Sequence, residues 1–415
     1  MRISNFFSIK DEITLDFRAA VIKSANAKAL SSHIFEQDKT NILKTIVVYG
    51  ANASGKSNII KAIRFCNAMV FESHKHNQDV VFNFQPFKFD DYITKPSTYF
   101  IRFISSDIEY EYSFSLTRHK ILTENLYYYP NGRKTKIFTR DEKAGNKKSE
   151  KYSFGEQIKR PMDVAESTSE KTLFISRASQ MDREIAKEIF NYFSQKFILS
   201  YQGFGVGAIE RLSNDNKQQL IDALKIADSD ILEVRIKTLK KPTKNINANL
   251  TDMTLSVQNI EQEHLQIRTY HKSNPDIMFD FFTEESQGTI KMFFIMLTIL
   301  DVIKNNKVLL IDEIEESLHP AIIEYIFNLF RAGAKAQLIC TTHNTRFLDL
   351  KKFRKDQIFF ANKKTDGSTD VYSLYDYSDF RDTMDLEKAY LQGRFDAVPI
   401  VDDTEESLKN LIYAK

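Results

Sequence analysis

The sequence predicts an α/β fold that carries an antiparallel β lobe and a helical insertion. Two short apolar runs, Thr45–Tyr49 and Val308–Ile311, each end in a polar segment, which is typical of buried strands in an α/β sheet. Between residues 99 and 139, apolar and polar residues alternate instead, as in half-solvated antiparallel strands. From 185 to 226 the apolar residues recur with helical spacing. These patterns divide the chain into an N-terminal part of the α/β domain with the antiparallel lobe (1–140), a mostly helical insertion (141–275) and a C-terminal part of the α/β domain (276–415).

The remaining elements follow from local patterns taken in chain order. Loose alternation before residue 18 predicts two short strands. Asn131-Gly132 and Asp366-Gly367 each lie between alternating runs and predict the turns of two β-hairpins. The C-terminal part should alternate strands and helices: strand 277–281, helix 290–303, strand 308–311, helix 321–330 and strand 337–341.

Composition excludes several classes of protein. The formal net charge of the 415 residues is only +2 and the pI is near 8.2, so overall charge does not indicate nucleic-acid binding. The two cysteines, Cys66 and Cys340, lie in apolar segments without metal-ligand spacing, which favours buried thiols in a reducing compartment. No signal peptide and no apolar run of membrane-spanning length is evident. We therefore expect a cytoplasmic protein.

The segment after the first buried strand has the spelling of a phosphate-binding loop. Residues 50–57 read G-x-x-x-x-G-K-S between a strand and a helix, which is the setting that this motif requires. Successive backbone N–H groups and the helix N-terminus would face the phosphates, Lys56 would reach the β- and γ-phosphates, and the Ser57 hydroxyl would hold Mg²⁺. An ordinary glycine-containing turn is the less favoured alternative. The predicted nucleotide-binding residues here are Gly50, Asn52, Ala53, Ser54, Gly55, Lys56, Ser57 and Asn58.

Two carboxylates follow the second buried strand. At the end of such a strand, Asp312 can hold Mg²⁺ or its waters beside Ser57, and Glu313 can orient and deprotonate a water molecule. Two acidic residues could equally cap a helix. The phosphate-binding loop upstream makes the catalytic interpretation the stronger one.

Two further segments complete the predicted site. His343 follows the strand 337–341, where an imidazole could contact the γ-phosphate, although a lone histidine is more often structural. The segment Ser286-Gln287-Gly288-Thr289 precedes an apolar helix, and a hydroxyl with a backbone N–H at a helix start can bind an anion. The second pattern is weak by itself.

In their order along the chain, these motifs resemble the heads of ABC/SMC-type ATPases, a P-loop NTPase fold. The matching segments are 50–57, 285–289, 308–313, 316–320 and 341–344, and further segments (86–89, 127–130, 172–176 and 390–395) resemble the AAA-type ATPases of bacterial phage-defence loci, the RloA/AbiL-like relatives of overcoming-lysogenization-defect ATPases. The resemblance implies a homodimer or higher oligomer, with ATP between Lys56 of one head and Ser286 and Gly288 of another. It also implies a glutamine that couples the metal to the rest of the head, for which Gln85 is the candidate. A transporter is disfavoured because Gln287-Gly288-Thr289 replaces Gly-Gly-Gln.

The sequence thus predicts an ATPase, with ATP and Mg²⁺ as cofactors, that controls an effector protein (a nuclease or toxin from a neighbouring gene) in anti-phage defence. One alternative is an ATPase clamp of the DNA-repair or recombination type, for which nucleic acid would be a partner. Another is a scaffold that ATP locks without turnover.

Overall fold

The computed structural model describes residues 1–37, 39–199, 205–227, 230–249, 254–377, 380, 384–398 and 404–413. The chain forms two compact units, the first made of residues 1–197 and 339–415 and the second of residues 198–338. No helix in the described part of the chain combines the length and the apolar character that crossing a membrane requires.

The described part of the chain forms the following strands and α-helices. The strands are β1 (Arg2–Ser4), β2 (Ile13–Thr14), β3 (Ile34–Gln37), β4 (Thr40–Leu43), β5 (Thr45–Tyr49), β6 (Ser97–Ser105), β7 (Ile108–Leu116), β8 (Ile121–Tyr128), β9 (Thr135–Asp141), β10 (Tyr152–Phe154), β11 (Phe197–Ile198), β12 (Ile231–Asn249), β13 (Thr254–His271), β14 (Asn274–Asp280), β15 (Val308–Ile311), β16 (Gln337–Thr342), β17 (Ile358–Lys363) and β18 (Thr369–Ser373). The helices are α1 (Ala25–Ala29), α2 (Lys56–Glu72), α3 (Lys148–Lys151), α4 (Pro161–Glu166), α5 (Phe174–Gln180), α6 (Glu184–Lys196), α7 (Val206–Asp215), α8 (Lys217–Ala227), α9 (Phe281–Glu284), α10 (Gln287–Lys304), α11 (Pro320–Ala332), α12 (Leu386–Leu391) and α13 (Glu405–Tyr413).

The larger sheet of the first unit is the predicted antiparallel lobe. Its seven strands run in the order β10-β9-β8-β7-β6-β1-β2, and each neighbouring pair is antiparallel. Alternate residues of β7, among them Tyr110, Tyr112 and Phe114, are buried, because side chains of a strand point to opposite faces in turn. The predicted hairpin around Asn131-Gly132 is confirmed as the pair β8–β9.

The second sheet of the first unit holds the strand before the phosphate-binding loop. Within this unit the strand order is β16-β5-β17-β18; β17 is parallel to β5, and β18 is antiparallel to β17. All five residues of β5 are buried, as the apolar run predicts for a central strand. The predicted hairpin around Asp366-Gly367 is confirmed as β17–β18. Cys66 on α2 and Cys340 on β16 are buried free thiols, and burial raises the pKa of the Cys66 thiol to about 12.

The insertion differs from the mostly helical prediction. Helices α7 and α8 form where helical spacing predicts them, but a long antiparallel hairpin follows, with Ile231 opposite His271 and Asn249 opposite Thr254. The strand β14 then pairs with β13. Inward-facing apolar residues such as Val234 and Ile267 do recur with period two. Many lysine, threonine and asparagine residues interrupt the apolar alternation in both strands, so the sequence pattern did not indicate a hairpin.

A buried ion pair connects the antiparallel lobe to helix α5. Glu124 and Arg140 are both fully buried, with Arg140 Nη1 3.7 Å from Glu124 Oε2. The Glu124 carboxylate accepts hydrogen bonds from the backbone N–H groups of Phe174 (2.5 Å) and Ile175 (3.0 Å) and so caps α5. Arg140 donates to the Thr172 carbonyl oxygen at 2.7 Å. A buried charge of this kind is tolerated only while its partner is present.

Replacing Arg140 with methionine should lower the free energy of unfolding by about 3–5 kcal/mol, because Glu124 stays buried without its counter-charge. Burial already raises the pKa of Glu124, with Arg140 opposing the rise, so the variant should raise that pKa further. A carboxyl group whose folded-state pKa is raised contributes most stability below its unfolded-state pKa and loses it as the pH rises through the folded-state value. Urea unfolding should therefore show a larger deficit at pH 7 than at pH 5.

The control for this experiment is Arg102→Met, which removes an exposed pair with Glu109 on the same sheet. That change should cost less than about 1 kcal/mol. Equal losses for the two variants, or a deficit for Arg140→Met that does not depend on pH, would contradict the buried-pair interpretation.

Candidate nucleotide-binding site

The loop between β5 and α2 has the backbone shape that binds phosphate. Two of its residues adopt the left-handed conformation, Ala53 at φ 62° and Gly55 at φ 100°. Gly55 occupies the N-cap position of α2, and the Ser54 N–H donates to the Ala51 carbonyl oxygen at 3.2 Å. Left-handed residues that precede a helix start turn successive N–H groups into one concave surface, which is an anion-binding arrangement.

The two glycines of the loop are enclosed by other parts of the first unit. A Cβ atom on Gly50 would lie 2.4 Å from the Ala361 carbonyl oxygen, and one on Gly55 would lie 2.0 Å from Thr369 Oγ1 and 2.8 Å from Ser8 Oγ. The Thr369 hydroxyl lies within hydrogen-bonding distance of the Ser54 carbonyl oxygen (2.8 Å) and of the Ser8 hydroxyl (2.7 Å). Thr369 of strand β18 and Ser8 therefore pack against the loop and restrict its backbone.

Replacing Gly55 with alanine should destabilise the protein by about 2–5 kcal/mol, the sum of a left-handed φ for a residue with a Cβ atom and a steric clash at Thr369. Gly132→Ala is the matched control, because Gly132 also has a positive φ, 76°, but a Cβ atom there would meet nothing within 4 Å. The control should cost about 1 kcal/mol. Chemical denaturation measures the free energy of unfolding of both variants. Similar losses would mean that Thr369 moves aside at little cost.

Lys56, the first residue of α2, is 6% exposed. Its Nζ donates to the carbonyl oxygens of Gly50 (2.7 Å) and Ala51 (2.9 Å), so the ammonium group lies over the loop that the sequence predicts to bind phosphate. Of the other predicted residues, Asn52 and Ala53 are exposed, and Ser57 and Asn58 are partly exposed. The Asn58 side chain donates to Ser8 Oγ at 2.7 Å. The loop 50–57 thus combines backbone N–H groups at a helix start with a buried lysine.

Gln85 and His343 belong to the same unit as this loop. The Gln85 carbonyl oxygen accepts a hydrogen bond of 2.7 Å from the N–H of Phe7, the neighbour of Ser8. The backbone of Gln85 is thus hydrogen-bonded to Phe7, and the next residue, Ser8, contacts Asn58 at the end of the predicted loop. His343 directly follows β16, the strand next to β5 in the sheet order, and its side chain is exposed.

In the second unit, Asp312 and Glu313 directly follow β15. Asp312 is partly exposed, whereas Glu313 is exposed and has φ 50°. The Glu313 carbonyl oxygen accepts from the N–H of Glu316 at 3.0 Å, which closes a turn after the strand. A left-handed glutamate is uncommon, and such strained residues occur preferentially at functional sites.

The segment around Ser286 contacts the turn after β15, and both lie in the second unit. The Ser286 hydroxyl accepts from the Thr289 N–H at 3.0 Å and so caps α10. A Cβ atom on Gly288 would lie 3.4 Å from the Ser317 carbonyl oxygen. Lys291 Nζ lies 3.3 Å from Glu316 Oε2. The structure therefore brings 286–288 together with the turn at 313–319. The contact of Gln85 is with Phe7, through the backbone.

Most of the chain matches one protein family, and this match classifies it. Residues 46–349 match the family described as "AAA domain, putative AbiEii toxin, Type IV TA system", which covers most of the chain. The chain belongs to this AAA family. The α/β P-loop ATPase fold predicted from the sequence is thereby confirmed. No curated protein matches the chain.

Solved structures similar to this AAA domain include three SMC heads, all 14% identical to it. The SmcHead bound to the C-winged helix domain of ScpA has a TM-score of 0.38 and covers 94% of this chain and 98% of that chain. The SMC head domain from Thermotoga maritima has a TM-score of 0.37 and covers 90% and 97%. The Smc head domain with an extended coiled coil bound to the C-terminal domain of ScpA, derived from Pyrococcus furiosus, has a TM-score of 0.37 and covers 95% and 98%.

Sequence analysis missed the residues that support the site of this AAA domain. Ser8 and Thr369, which hold the phosphate-binding loop, are about 50 and 315 residues away from it along the chain. No local pattern marks a lone serine or threonine in such a role, since only tertiary structure brings them to the loop. Lys291, which links α10 to Glu316, lies within the predicted helix 290–303, and no sequence pattern assigned it a role.

Proposed function

We propose that this AAA domain binds and hydrolyses ATP with Mg²⁺, and that its ATP-dependent head assembly controls an effector in bacterial anti-phage defence. One observation carries the proposal: the loop 50–57 lies at the N-terminus of the 17-residue helix α2, with the Lys56 ammonium group over it. Its two glycines are closely surrounded by other residues of the first unit. Membership of a P-loop ATPase family supports a nucleotide as the ligand.

Binding would be divided among backbone and side-chain groups of the first unit. The amides of the loop 52–57 other than that of Ser54, which donates to Ala51, would donate to phosphate oxygens. Lys56 would exchange its two carbonyl acceptors for the β- and γ-phosphates. A charged ligand is the better acceptor for an ammonium group than a neutral carbonyl. Gly50 and Gly55 allow the close approach of the backbone.

The donor types suit a magnesium ion. Ser57, Asp312 and Gln85 offer a hydroxyl, a carboxylate and an amide oxygen, which are the oxygen ligands that Mg²⁺ prefers. Among the described residues no cluster of three or more His, Cys, Asp or Glu side chains could hold a metal. Few protein ligands are nevertheless sufficient here, because Mg²⁺ in such sites keeps waters and phosphate oxygens. When bound, the ion neutralises charge that develops on the phosphate oxygens.

Glu313 is the proposed general base and His343 the proposed γ-phosphate contact. Both side chains are exposed, so both are accessible to a nucleotide. Glu313 would orient a water molecule and accept its proton. His343 would donate a hydrogen bond to the γ-phosphate and lose it after hydrolysis.

Head assembly would place ATP between two copies of the chain. Ser286 and Gly288 are exposed or partly exposed at the start of α10, and their backbone N–H groups belong to the N-terminus of an 18-residue helix. We propose that this helix start contacts the γ-phosphate bound by a second copy. Because the turn at 313–319 packs beside it, assembly would also order the residues next to Glu313.

Purified protein tests the proposal. Isothermal titration should show saturable Mg²⁺-dependent ATP binding, phosphate release should accompany it, and sedimentation should show ATP-dependent oligomers. Absence of ATP binding would refute the proposal. Binding without phosphate release would leave the ATP-locked scaffold as the function. For the effector, the product of the neighbouring gene should co-purify with the protein, and its activity should respond to ATP.

An ATPase clamp on DNA is the second candidate, and one face of the hairpin β12–β13 favours it. The register puts Arg235 opposite Arg268, Lys237 opposite Gln266 and Lys241 opposite Gln262 on that face. Such a basic ribbon would bind phosphates of nucleic acid, with an affinity that falls steeply with salt. Duplex DNA that does not bind at 50 mM salt would exclude this candidate.

A further inference from the structure

A half-open cavity of about 160 Å³ lies in the second unit, outside the proposed ATP site. It lies where the end of α7, the start of α8 and strand β12 meet. Its apolar wall is formed by Leu220 and Ile221 of α8 and by Val234 and Ile236 of β12. Leu220, Ile221 and Val234 are each less than 7% exposed. The cavity therefore offers one apolar wall to a ligand.

Polar groups face the same cavity. Ser213 is 1% exposed, and its hydroxyl has no hydrogen-bond partner among the described residues. A buried hydroxyl without a partner costs free energy, because it has lost water and gained nothing. A ligand that hydrogen-bonds to Ser213 would remove this cost.

Strand β12, which contributes to the cavity wall, is an edge strand of its three-stranded sheet. The N–H of Thr238 donates to Glu210 Oε2 of α7 at 3.1 Å and not to β13. In an antiparallel pair, residues alternate between bonding to the partner strand and pointing away from it. The backbone groups of Ile236 and Val234, two and four residues before Thr238, therefore also point away from β13.

Charged residues near the opening of the cavity determine which ligand charge it favours. Lys217 Nζ lies 3.1 Å from Glu233 Oε1, and Arg235 Nη2 lies 2.9 Å from Glu233 Oε2. Hydrogen bonding from Arg235 and then from Lys217 lowers the pKa of Glu233, so the carboxylate stays ionised at neutral pH. Glu233 and Arg235 alternate with Val234 and Ile236 along β12, so their side chains lie on the opposite face of the strand, and Lys217 of α8 supplies the positive charge at the cavity. A single ammonium group suits a monoanion better than a phosphate dianion.

We propose that this cavity binds a small monocarboxylate with an apolar body of about six to eight carbon atoms, since a cavity of roughly 150 Å³ accommodates a benzene ring. The carboxylate accepts hydrogen bonds from the Ser213 hydroxyl and the Lys217 ammonium group. The apolar body packs against Leu220, Ile221 and Ile236. This site is independent of the proposed ATPase function.

Titration of the full-length protein with benzoate and with hexanoate, followed by calorimetry, tests the proposal. At least one of the two should bind saturably, and benzyl alcohol, which has the ring but no charge, should bind at least about tenfold more weakly. Ser213→Ala should weaken carboxylate binding about tenfold, and so should Lys217→Met. The control Lys225→Met changes another lysine of α8, which pairs with Asp222 and does not line the cavity.

The Ser213→Ala variant should fold, because it removes a hydroxyl without a partner; its thermal unfolding temperature without ligand should equal or exceed that of the parent. Absence of saturable binding for both carboxylates would overturn the proposal. So would an unchanged affinity in Ser213→Ala. ATP binding, measured on the same samples, should be the same in all of these variants, which separates this test from the test of the ATP site.

Discussion

Replacing Lys56 with alanine should weaken ATP binding by about 100-fold or more. The side chain is 6% exposed and its ammonium group lies over the loop, 2.7 Å from the Gly50 carbonyl oxygen. Each hydrogen bond to a charged group contributes about 1.5–3 kcal/mol, and Lys56 would make two with the phosphates. A tenfold change in affinity corresponds to about 1.4 kcal/mol. Isothermal titration with Mg²⁺ and ATP measures the effect.

Lys61→Ala is the matched control for this prediction. Lys61 lies on the same helix, is exposed, and has its Nζ 5.8 Å from the centre of the Phe7 ring. Its removal takes away the same charge near the loop but no contact with a phosphate, so affinity should change less than about threefold. If the two variants lose the same affinity, the effect is one of general charge and Lys56 has no direct role.

Replacing Glu313 with glutamine should reduce the rate of ATP hydrolysis by about 100- to 1,000-fold while ATP binding persists. Glutamine keeps the size of the side chain but cannot accept a proton from water, and general-base catalysis contributes about 10²–10⁴-fold. The protein should then accumulate with ATP bound and in its assembled state. Single-turnover phosphate release and sedimentation with ATP measure the two consequences.

Glu316→Gln is the control, because Glu316 is an exposed carboxylate in the same turn as Glu313. The substitution keeps the hydrogen bond that Lys291 donates to the Glu316 backbone carbonyl oxygen. Its hydrolysis rate should stay within about threefold of the parent rate. A Glu313→Gln variant that still hydrolyses ATP at the parent rate would exclude Glu313 as the base. A variant that binds no ATP would assign Glu313 a structural role, for which its left-handed backbone gives a reason.

Much of the fold was predictable because its signals are local. The buried strand β5, the glycine-lysine loop and the start of α2 occupy consecutive residues, and each has its own chemical signal. The two hairpins with Asn-Gly and Asp-Gly turns were predictable for the same reason, since Asn131, Gly132 and Gly367 are of residue types that adopt a positive φ at low cost. The long hairpin β12–β13 was not, because its strands are rich in lysine and other polar residues, which hide the period-two apolar pattern.

The sequence by itself determined where phosphate, metal and base chemistry would be sought, since G-x-x-x-x-G-K-S and the strand-ending Asp312-Glu313 are defined by residue type and spacing. Only the tertiary structure decided what supports them. Ser8 and Thr369 behind the loop and Lys291 beside Glu316 are set by contacts between distant segments. The physical reason is that a turn or a strand expresses local backbone preferences, whereas packing depends on side chains brought together only after the chain has folded.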